Sequence, residues 1–356
     1  MQTLHFDARF IRLDHHDGIS RFSVELIQAL VEKVKVVAII YDLRQLEQLP
    51  KGIEFVLLNN PQSVTEISIA RKLNKLGATH VFSPMQIMGT TGRKYKLVLT
   101  LHDLIYYRHR KPPQDLNLLV QLIWRLYHLS YLPQKLLLNR ADAIATVSET
   151  TKRLIEENKL TKRPVGVVYN AAPGTPASKP RVFPASRKLL YIGSFMPYKN
   201  VETLIRGVAL LPEFELHLLS KIDLSRKAEL SALAKDLGAK VVFHGGVSDS
   251  EYLALLKDSF ALVTASKDEG FGIPLVEAMQ QGTPVIVSDL EIFHEVAGRA
   301  GSYFQADDAV QFAKRVEELD GSRAWEKTSE ESLAQAKRFS WGSSAESLLN
   351  IFREIR

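Results

Sequence analysis

Short runs of apolar residues alternate along the whole chain with longer segments in which apolar residues recur every three to four positions. The short runs predict strands, and the longer segments predict amphipathic helices. In the first half, the predicted strands are residues 4–6, 34–41, 55–58, 80–82, 96–101, 143–148 and 165–170. Because strands that alternate with helices build largely parallel sheets, the pattern predicts an α/β fold.

The second half repeats the alternation after a segment rich in proline, glycine and small residues at 171–180. Its predicted strands are residues 189–193, 215–219, 241–243, 260–265, 285–287 and 302–304. Such a segment is typical of a linker between domains. The sequence therefore predicts an N-terminal domain over 1–172, a linker over 173–186, a C-terminal domain over 187–339 and a closing amphipathic helix over 340–356.

Length and composition agree with two globular domains. The chain has 356 residues, of which 46% are hydrophobic and 24% charged, and a single core rarely grows to that size. It has no apolar run of membrane-spanning length, no signal-peptide pattern at its start and no cysteine for a disulfide or a thiolate metal site. A cytoplasmic enzyme is the expectation.

The charge balance favours anionic partners. The formal net charge is +6 and the pI is about 9.2, which suits nucleotides or acidic lipid headgroups. The sequence shows no arginine-rich arm and no alternation of aromatic and basic residues, so a nucleic-acid partner is not expected.

The stretch 268–289 carries the densest candidate chemistry. It lies between two apolar runs and predicts a strand, a loop, a short helix and a strand. Pro274 suits the first helical position and Gly282 the residue after the last. Glu269 is then expected in the loop and Glu277 in the first turn, both at the sheet edge where ligands bind.

The same loop is suited to bind an anion. Gly270 and Gly272 allow close approach of the backbone, and the amides of Phe271, Gly272 and Ile273 precede a helix N-terminus. Two carboxylates and an anion cradle are thus predicted at one edge.

Seven residues separate Glu269 from Glu277, with Gly-Phe-Gly-Ile-Pro between them and Ala-Met after them. This combination resembles the retaining glycosyltransferases of family 4, and the resemblance extends over nearly the whole chain. It implies the GT-B fold, in which two Rossmann-like domains face each other across a cleft. It also implies that the first domain binds the acceptor, that the second binds the nucleotide-sugar donor, and that the terminal helix crosses back to the first domain.

The resemblance implies the reaction as well. A hexose would pass from a nucleotide-sugar donor to a hydroxyl of a glycan or a lipid-linked acceptor, with formation of an α-glycosidic bond. Attack from the front face, with the diphosphate oxygen as base, is the implied mechanism. Mannose carried on GDP is favoured over sugars carried on UDP.

The resemblance assigns catalytic roles to three positions. Glu269 would hold the donor sugar, and His102, which follows the predicted strand 96–101, would stabilise the reacting sugar. Lys199 would stabilise the departing diphosphate. A lysine before a helix opposes the helix dipole, and an anion between the two removes that conflict.

Other positions are assigned to donor binding, and two of them depart from the family pattern. Ser194 and Tyr198 stand where relatives commonly have an arginine next to the glycine or the lysine, and Asp17 replaces the first of two glycines before Ile19. Gly18 is expected close to the diphosphate and the acceptor, Ser194 near the diphosphate, and Val247 at the nucleobase. Glu277 is expected at the ribose, beside the loop 270–273.

Neither a metal nor a cofactor is expected. No Asp-x-Asp motif occurs in the sequence, and His15 and His16 are interpreted as loop residues.

Three questions stay open at this point. The apolar segment 116–138, preceded by basic residues from Arg108, is either a buried helix or an interfacial helix that docks on the inner face of a membrane. A nucleotide-sugar 2-epimerase on the same fold is an alternative enzyme, and a non-catalytic nucleotide-sugar-binding subunit is an alternative outside enzymes.

Overall fold

The computed structural model describes residues 3–13, 17–110 and 118–355, which divide into two compact units. The first unit extends to Asn170 and takes in the chain again from Ser340, while the second runs from Ala171 to Phe339. His15 and His16, predicted to be loop residues, lie outside the described ranges.

The first unit is built on one parallel sheet. In chain order its elements are β1 (Thr3–Asp7), α1 (Gly18–Val31), β2 (Lys35–Ile40), β3 (Glu54–Leu57), α2 (Ile69–Lys75), β4 (His80–Ser83), β5 (Lys96–Thr100), α3 (Ile105–Arg108), α4 (Leu118–Tyr127), α5 (Leu132–Leu138), β6 (Ala143–Thr146), α6 (Glu149–Glu157) and β7 (Val165–Val167). Short 3-10 turns lie at Ala8–Phe10, Leu43–Gln48 and Val64–Ser68. The strand order is β3-β2-β1-β4-β5-β6-β7, with every pairing parallel.

The second unit repeats this architecture. Its elements are β8 (Lys188–Tyr191), α7 (Val201–Val208), β9 (Glu215–Leu218), α8 (Leu224–Leu237), β10 (Val241–Phe243), α9 (Asp249–Asp258), β11 (Ala261–Thr264), α10 (Ile273–Gln280), β12 (Val285–Ser288), α11 (Glu291–Ala297), β13 (Gly301–Phe304), α12 (Ala309–Leu319) and α13 (Ser322–Ala336), with 3-10 turns at Pro197–Lys199 and Gly298–Ala300. The parallel order is β10-β9-β8-β11-β12-β13. The α/β class predicted from the sequence is confirmed.

The last helix, α14 (Trp341–Glu354), belongs to the first unit. The Ser340 hydroxyl caps its start by accepting from the Ser343 amide at 3.1 Å. The Ser344 hydroxyl donates to the Tyr169 carbonyl at 2.6 Å. A Cβ on Gly166 of β7 would lie 2.5 Å from the Ile351 side chain, so the absence of a side chain there lets α14 lie against the strand.

The segment predicted as a linker, residues 173–186, is grouped with the second unit. Arg181 anchors it there, because its guanidinium donates to the carbonyls of Leu256 and Ser259 at 2.9 Å and to the Thr283 hydroxyl at 2.8 Å. The guanidinium carbon also lies 5.0 Å from the centre of the Trp325 ring. Arg181 therefore supplies hydrogen-bond donors to backbone carbonyls of the core, although it lies in a segment without helix or strand.

The apolar segment 116–138 contains two helices, α4 and α5, and its first residues lie outside the described ranges. Its large apolar residues on the outer side are exposed, with exposed fractions between 54% and 62% at Leu122, Ile123, Leu126, Leu129, Leu132 and Leu136. A fully buried helix is therefore the wrong interpretation for this segment, because the two helices present only their other side to the core. Among the described residues, no helix is long and apolar enough to cross a membrane.

Candidate active site

A cavity of about 210 Å³ opens at the carboxyl edge of the second unit's sheet, where the strand order reverses between β8 and β11. Gly193 and Lys199, which follow β8, form one part of its wall. Glu269 and Gly272, which follow β11, form another. Open parallel sheets bind their ligands at this kind of edge, so the cavity is the candidate active site of this unit.

Lys199 and Glu269 form an ion pair on the wall of this cavity, although 70 positions separate them in sequence. Their side chains are only 14% and 20% exposed. The ammonium of Lys199 also lies 5.2 Å from the centre of the Tyr198 ring. Each charge gives the other a partner in a partly buried site, where a lone charge would be costly. Two of the three predicted catalytic residues are thus in direct contact.

The start of helix α10 faces the same cavity, since Gly272, Pro274 and Leu275 line it. Gly272 has φ 94°, in the left-handed region, and a Cβ there would lie 3.1 Å from the Phe293 ring. The first amides of a helix lack partners within the helix and attract anions. Together with Lys199, this helix start makes the cavity suited to a phosphate group.

Phe271 holds the loop in place. Its side chain is 3% exposed and its ring packs edge-on against Phe339, with centroids 5.5 Å apart. The run Gly270 to Ile273 therefore combines a buried anchor with a helix N-terminus.

Glu277 is not where the sequence predicted it. Helix α10 begins at Ile273 and Pro274 is its second residue, so Glu277 lies in the second turn. Gly272 is the residue before the first helical position, so the helix begins at Ile273, one residue earlier than expected. Glu277 is 7% exposed and is not among the residues that line the cavity. Its contact with a ribose stays a prediction.

The loop after β8 is held by hydrogen bonds. The Gly193 amide donates to the Ser220 hydroxyl at 3.0 Å, and the Tyr191 hydroxyl donates to the Ser194 carbonyl at 2.5 Å. Burial raises the pKa of Tyr191 well above its usual value, which keeps this hydroxyl protonated as a donor. Tyr191 lines the cavity and was missed from the sequence, where it is simply one residue of an apolar run.

The predicted nucleobase loop follows β10 at the same edge. Gly245 and Gly246 have φ angles of 73° and 112°, and the Gly246 amide donates to the Leu219 carbonyl at 3.0 Å. A Cβ on Gly246 would lie 2.9 Å from Lys221, so the lysine stem packs against bare backbone. Val247 lines a separate, more open cavity of about 410 Å³.

His102 lies in the first unit, directly after β5. Its Nε2–H donates to the Pro84 carbonyl at 2.8 Å, which leaves Nδ1 as an acceptor. Burial lowers the pKa of His102, so the ring is neutral near pH 7. The ring packs edge-on against Phe22, with centroids 5.2 Å apart, and lines a cavity of about 130 Å³ within this unit.

Gly18 is the first residue of α1. The Asp17 carboxylate accepts from the Ser20 amide at 2.8 Å, so the residue that replaces the family's first glycine caps the helix. A Cβ on Gly18 would meet nothing within 4 Å, and its backbone is not in the left-handed region. Neither the packing nor the backbone requires glycine here.

Lys199 is the one lysine or arginine among the described residues that line the 210 Å³ cavity. Within the described residues, no group of three or more histidine, aspartate or glutamate side chains is arranged to hold a metal ion.

Two family models and several relatives of known name match most of the sequence of this chain. The family model described as Glycosyltransferase Family 4 matches residues 16–173, and the model described as Glycosyl transferases group 1 matches residues 178–335. The O-antigen chain mannosyltransferase RfbU of Salmonella typhimurium is 26% identical over 319 residues, which cover 85% of this chain and 87% of that protein. The serotype-specific mannosyltransferase WbdA of Escherichia coli is 25% identical over 283 residues, which cover 73% of this chain and 34% of that protein.

The fold also matches solved structures. The crystal structure of Anabaena Alr3699/HepE in complex with UDP and glucose superposes with a TM-score of 0.72 at 16% identity, covering 99% of this chain and 100% of that one. Sucrose-phosphate synthase from Thermosynechococcus elongatus superposes equally well, at 18% identity and with 99% of each chain covered.

The two parallel α/β units have the GT-B fold of these solved structures, and the family models show that the chain is a glycosyltransferase that depends on a nucleotide-sugar. The chain belongs to glycosyltransferase family 4.

Proposed function

We propose that this protein is a retaining mannosyltransferase that moves mannose from GDP-mannose to a hydroxyl of a glycan or lipid-linked acceptor, forming an α-glycosidic bond. The Lys199–Glu269 pair beside the start of α10 carries this proposal, because it places a cation and a carboxylate at one cavity. The sugar is suggested by RfbU and WbdA, both mannosyltransferases by name. UDP-linked donors are the alternative, since the HepE structure contains UDP and glucose.

The proposed mechanism starts from an exchange of partners. When the donor binds, the Lys199 ammonium turns from Glu269 to the diphosphate. The Glu269 carboxylate then accepts hydrogen bonds from hydroxyl groups of the sugar. The bond from the anomeric carbon to the diphosphate oxygen then breaks, and the acceptor oxygen bonds to that carbon from the same face. The acceptor proton passes to the diphosphate oxygen. Lys199 and the amides of α10 stabilise the charge that develops on the diphosphate.

A donor panel tests this proposal by thermal unfolding. GDP-mannose at about 100 times its dissociation constant is expected to stabilise the protein by roughly 2.7 kcal/mol, whereas UDP-glucose and ADP-glucose at the same concentration are expected to stabilise it less. Nuclear magnetic resonance of the product from GDP-mannose and a mannose-terminated acceptor should show an α-anomer.

The outcomes separate the alternatives. A larger shift with UDP-glucose would replace the proposed donor, and a β-anomer would contradict retention. Conversion of a nucleotide-sugar without any acceptor would favour the 2-epimerase. The absence of a shift with every nucleotide would overturn the proposed donor site.

The outer side of α4 and α5 supports a further part of the proposal, that the protein docks on an anionic membrane surface where a lipid-linked acceptor is held. Arg125, which is also exposed, lies on the same helix as Leu122 and Leu126, and Arg108 at the end of α3 is exposed as well. Burial of one such apolar side chain contributes about 1.5–3 kcal/mol, and basic residues near the surface add attraction to acidic lipids.

Replacing Leu126 by glutamate is expected to weaken binding to phosphatidylglycerol vesicles more than tenfold, because it removes apolar burial and adds repulsion from the lipid. Co-sedimentation with the vesicles measures this. Val64, which is 89% exposed in a 3-10 turn of the same unit, is the matched control. Val64→Glu should bind like the wild type, and equal losses in both variants would contradict the assignment to α4 and α5.

A further inference from the structure

We propose that the 130 Å³ cavity of the first unit binds one pyranose ring of the acceptor, and that the Gln134 side-chain amide recognises a hydroxyl of that sugar. This inference rests on the proposed function and goes beyond it, because it identifies the ring-sized acceptor subsite and the residue that determines its specificity.

The first observation is a buried amide with an unused atom. Gln134 lies on α5, is 1% exposed and lines the cavity. Its Oε1 accepts from the Tyr127 hydroxyl at 2.8 Å, and its Nε2 has no hydrogen-bond partner among the described residues. If the amide were flipped, Oε1 would occupy the position without a partner that Nε2 has now. One polar atom of the amide therefore lacks a partner in either orientation. Such groups are costly unless something pairs with them.

The second observation is another polar side chain that lines the cavity. His102 lines the same cavity, and its Nε2–H is committed to the Pro84 carbonyl. The Nδ1 atom of the neutral ring is therefore an acceptor, while the Gln134 amide offers a donor. A sugar hydroxyl both donates and accepts, so a polyol satisfies both groups, whereas a cation or a purely apolar ligand does not.

The third observation is the aromatic lining. The rings of Tyr106, Tyr107 and His128 contribute to the cavity. They belong to one cluster, because His128 lies 5.9 Å from Tyr106, 5.0 Å from Tyr107 and 4.0 Å from Trp124, centroid to centroid. Apolar ring faces with a few placed polar groups are typical of small-molecule sites. The aromatic rings of this cavity can pack against the carbon-bound hydrogens of a pyranose.

The position of the cavity fits an acceptor. It includes His102, the residue predicted at the reacting sugar, and Ile19, which follows Gly18 in the loop predicted to approach the acceptor. It also includes Gln134 of α5, whose neighbours Leu132 and Leu136 belong to the exposed apolar surface. A lipid-linked glycan held at that surface would have its terminal ring within the same unit.

Ligand-observed saturation-transfer measurements test the subsite without donor or turnover. The probes are methyl α-mannopyranoside, methyl α-glucopyranoside, methyl β-galactopyranoside and N-acetylglucosamine. At least one of them is expected to bind the wild type. Its affinity should fall tenfold or more in Gln134→Met, which keeps the side-chain shape and removes both amide atoms.

Three further variants separate recognition from folding. Tyr127→Phe removes the partner of Gln134 without touching the cavity wall and should bind within threefold of the wild type. Leu136→Gln changes the outer side of α5 and should also bind like the wild type. Tyr106→Ala removes an aromatic wall from a half-exposed position, and it should weaken the pyranoside roughly two- to tenfold.

The outcomes decide separately on this subsite and on the proposed function. If GDP-mannose stabilises the protein but no pyranoside binds, or if Gln134→Met and Tyr106→Ala both bind like the wild type, the subsite is wrong and the proposed function stands. If Tyr127→Phe loses binding as strongly as Gln134→Met, the role of Gln134 is structural. Pyranoside binding without any nucleotide binding would support the subsite and overturn the proposed donor.

Discussion

Replacing Glu269 by glutamine is expected to lower the turnover number by about 10² to 10³ while nucleotide affinity stays close to that of the wild type. The carboxylate lines the cavity at the sheet edge, where it is the proposed ligand of the donor sugar. Glutamine has nearly the same shape, but its amide is a weaker acceptor and carries no charge. Initial-rate measurements with GDP-mannose and a mannose-terminated acceptor, beside thermal shifts with free GDP, separate the two effects.

The sign of the effect on free GDP is informative. In the unliganded protein, Lys199 is paired with Glu269. Removing the carboxylate frees the ammonium for the diphosphate, so GDP should bind Glu269→Gln as tightly as the wild type or more tightly. The control is Glu213→Gln, an exposed position before β9 at the opposite edge of the sheet, which should keep full turnover. A tenfold loss of GDP affinity with unchanged turnover would reverse the assignment of Glu269.

Replacing Lys199 by alanine is expected to lower the affinity for GDP, in contrast to the Glu269→Gln variant. A hydrogen bond to a charged group contributes about 1.5–3 kcal/mol, so the affinity for GDP should fall at least tenfold. At a concentration that stabilises the wild type by roughly 2.7 kcal/mol, the variant should gain about 1.4 kcal/mol or less. Turnover should fall as well, because the leaving group loses its cation.

Each shift must be compared with the same variant without ligand, because Lys199→Ala leaves the Glu269 carboxylate, which is only 20% exposed, without its ammonium partner. Lys267→Ala is the matched control. Lys267 also follows β11, but its ammonium pairs with Asp307 at 2.6 Å and it does not line the cavity. Equal GDP shifts in both variants and the wild type would show that Lys199 does not bind the diphosphate.

Much of the fold was predictable because its signals are local. Apolar runs bounded by polar segments predicted the strands within one or two residues at most ends, and the run 285–287, which is β12 (Val285–Ser288) in the structure, was one of them. Gly282, with φ 69°, follows the end of α10 as its sequence position indicated. In contrast, no helix was predicted at α13 because its sequence is largely polar, although Trp325, Ser329, Ser332 and Ala336 are buried in the structure.

The candidate site was predictable in part. Glu269 and Lys199, which line the cavity, were identifiable because each lies between a strand end and a helix start within a few residues. Gln134 and Tyr191 gave no such signal, since glutamines are common in surface helices and tyrosines are common within the apolar runs of core strands. Their importance depends on which hydrogen-bond partners are nearby, and those partners come from folding.

The sequence by itself determined the α/β class, the family and the residues that suit an anion and a sugar, because strand periodicity, helix boundaries and the spacing of the glutamates are properties of neighbouring residues. Only the tertiary structure decided that Lys199 and Glu269 are paired, because β8 and β11 lie side by side while β9 and β10 intervene in sequence. It also decided that the leucines of α4 and α5 face outward while Gln134 faces a cavity. Burial and strand order depend on contacts between distant segments, which no local pattern records.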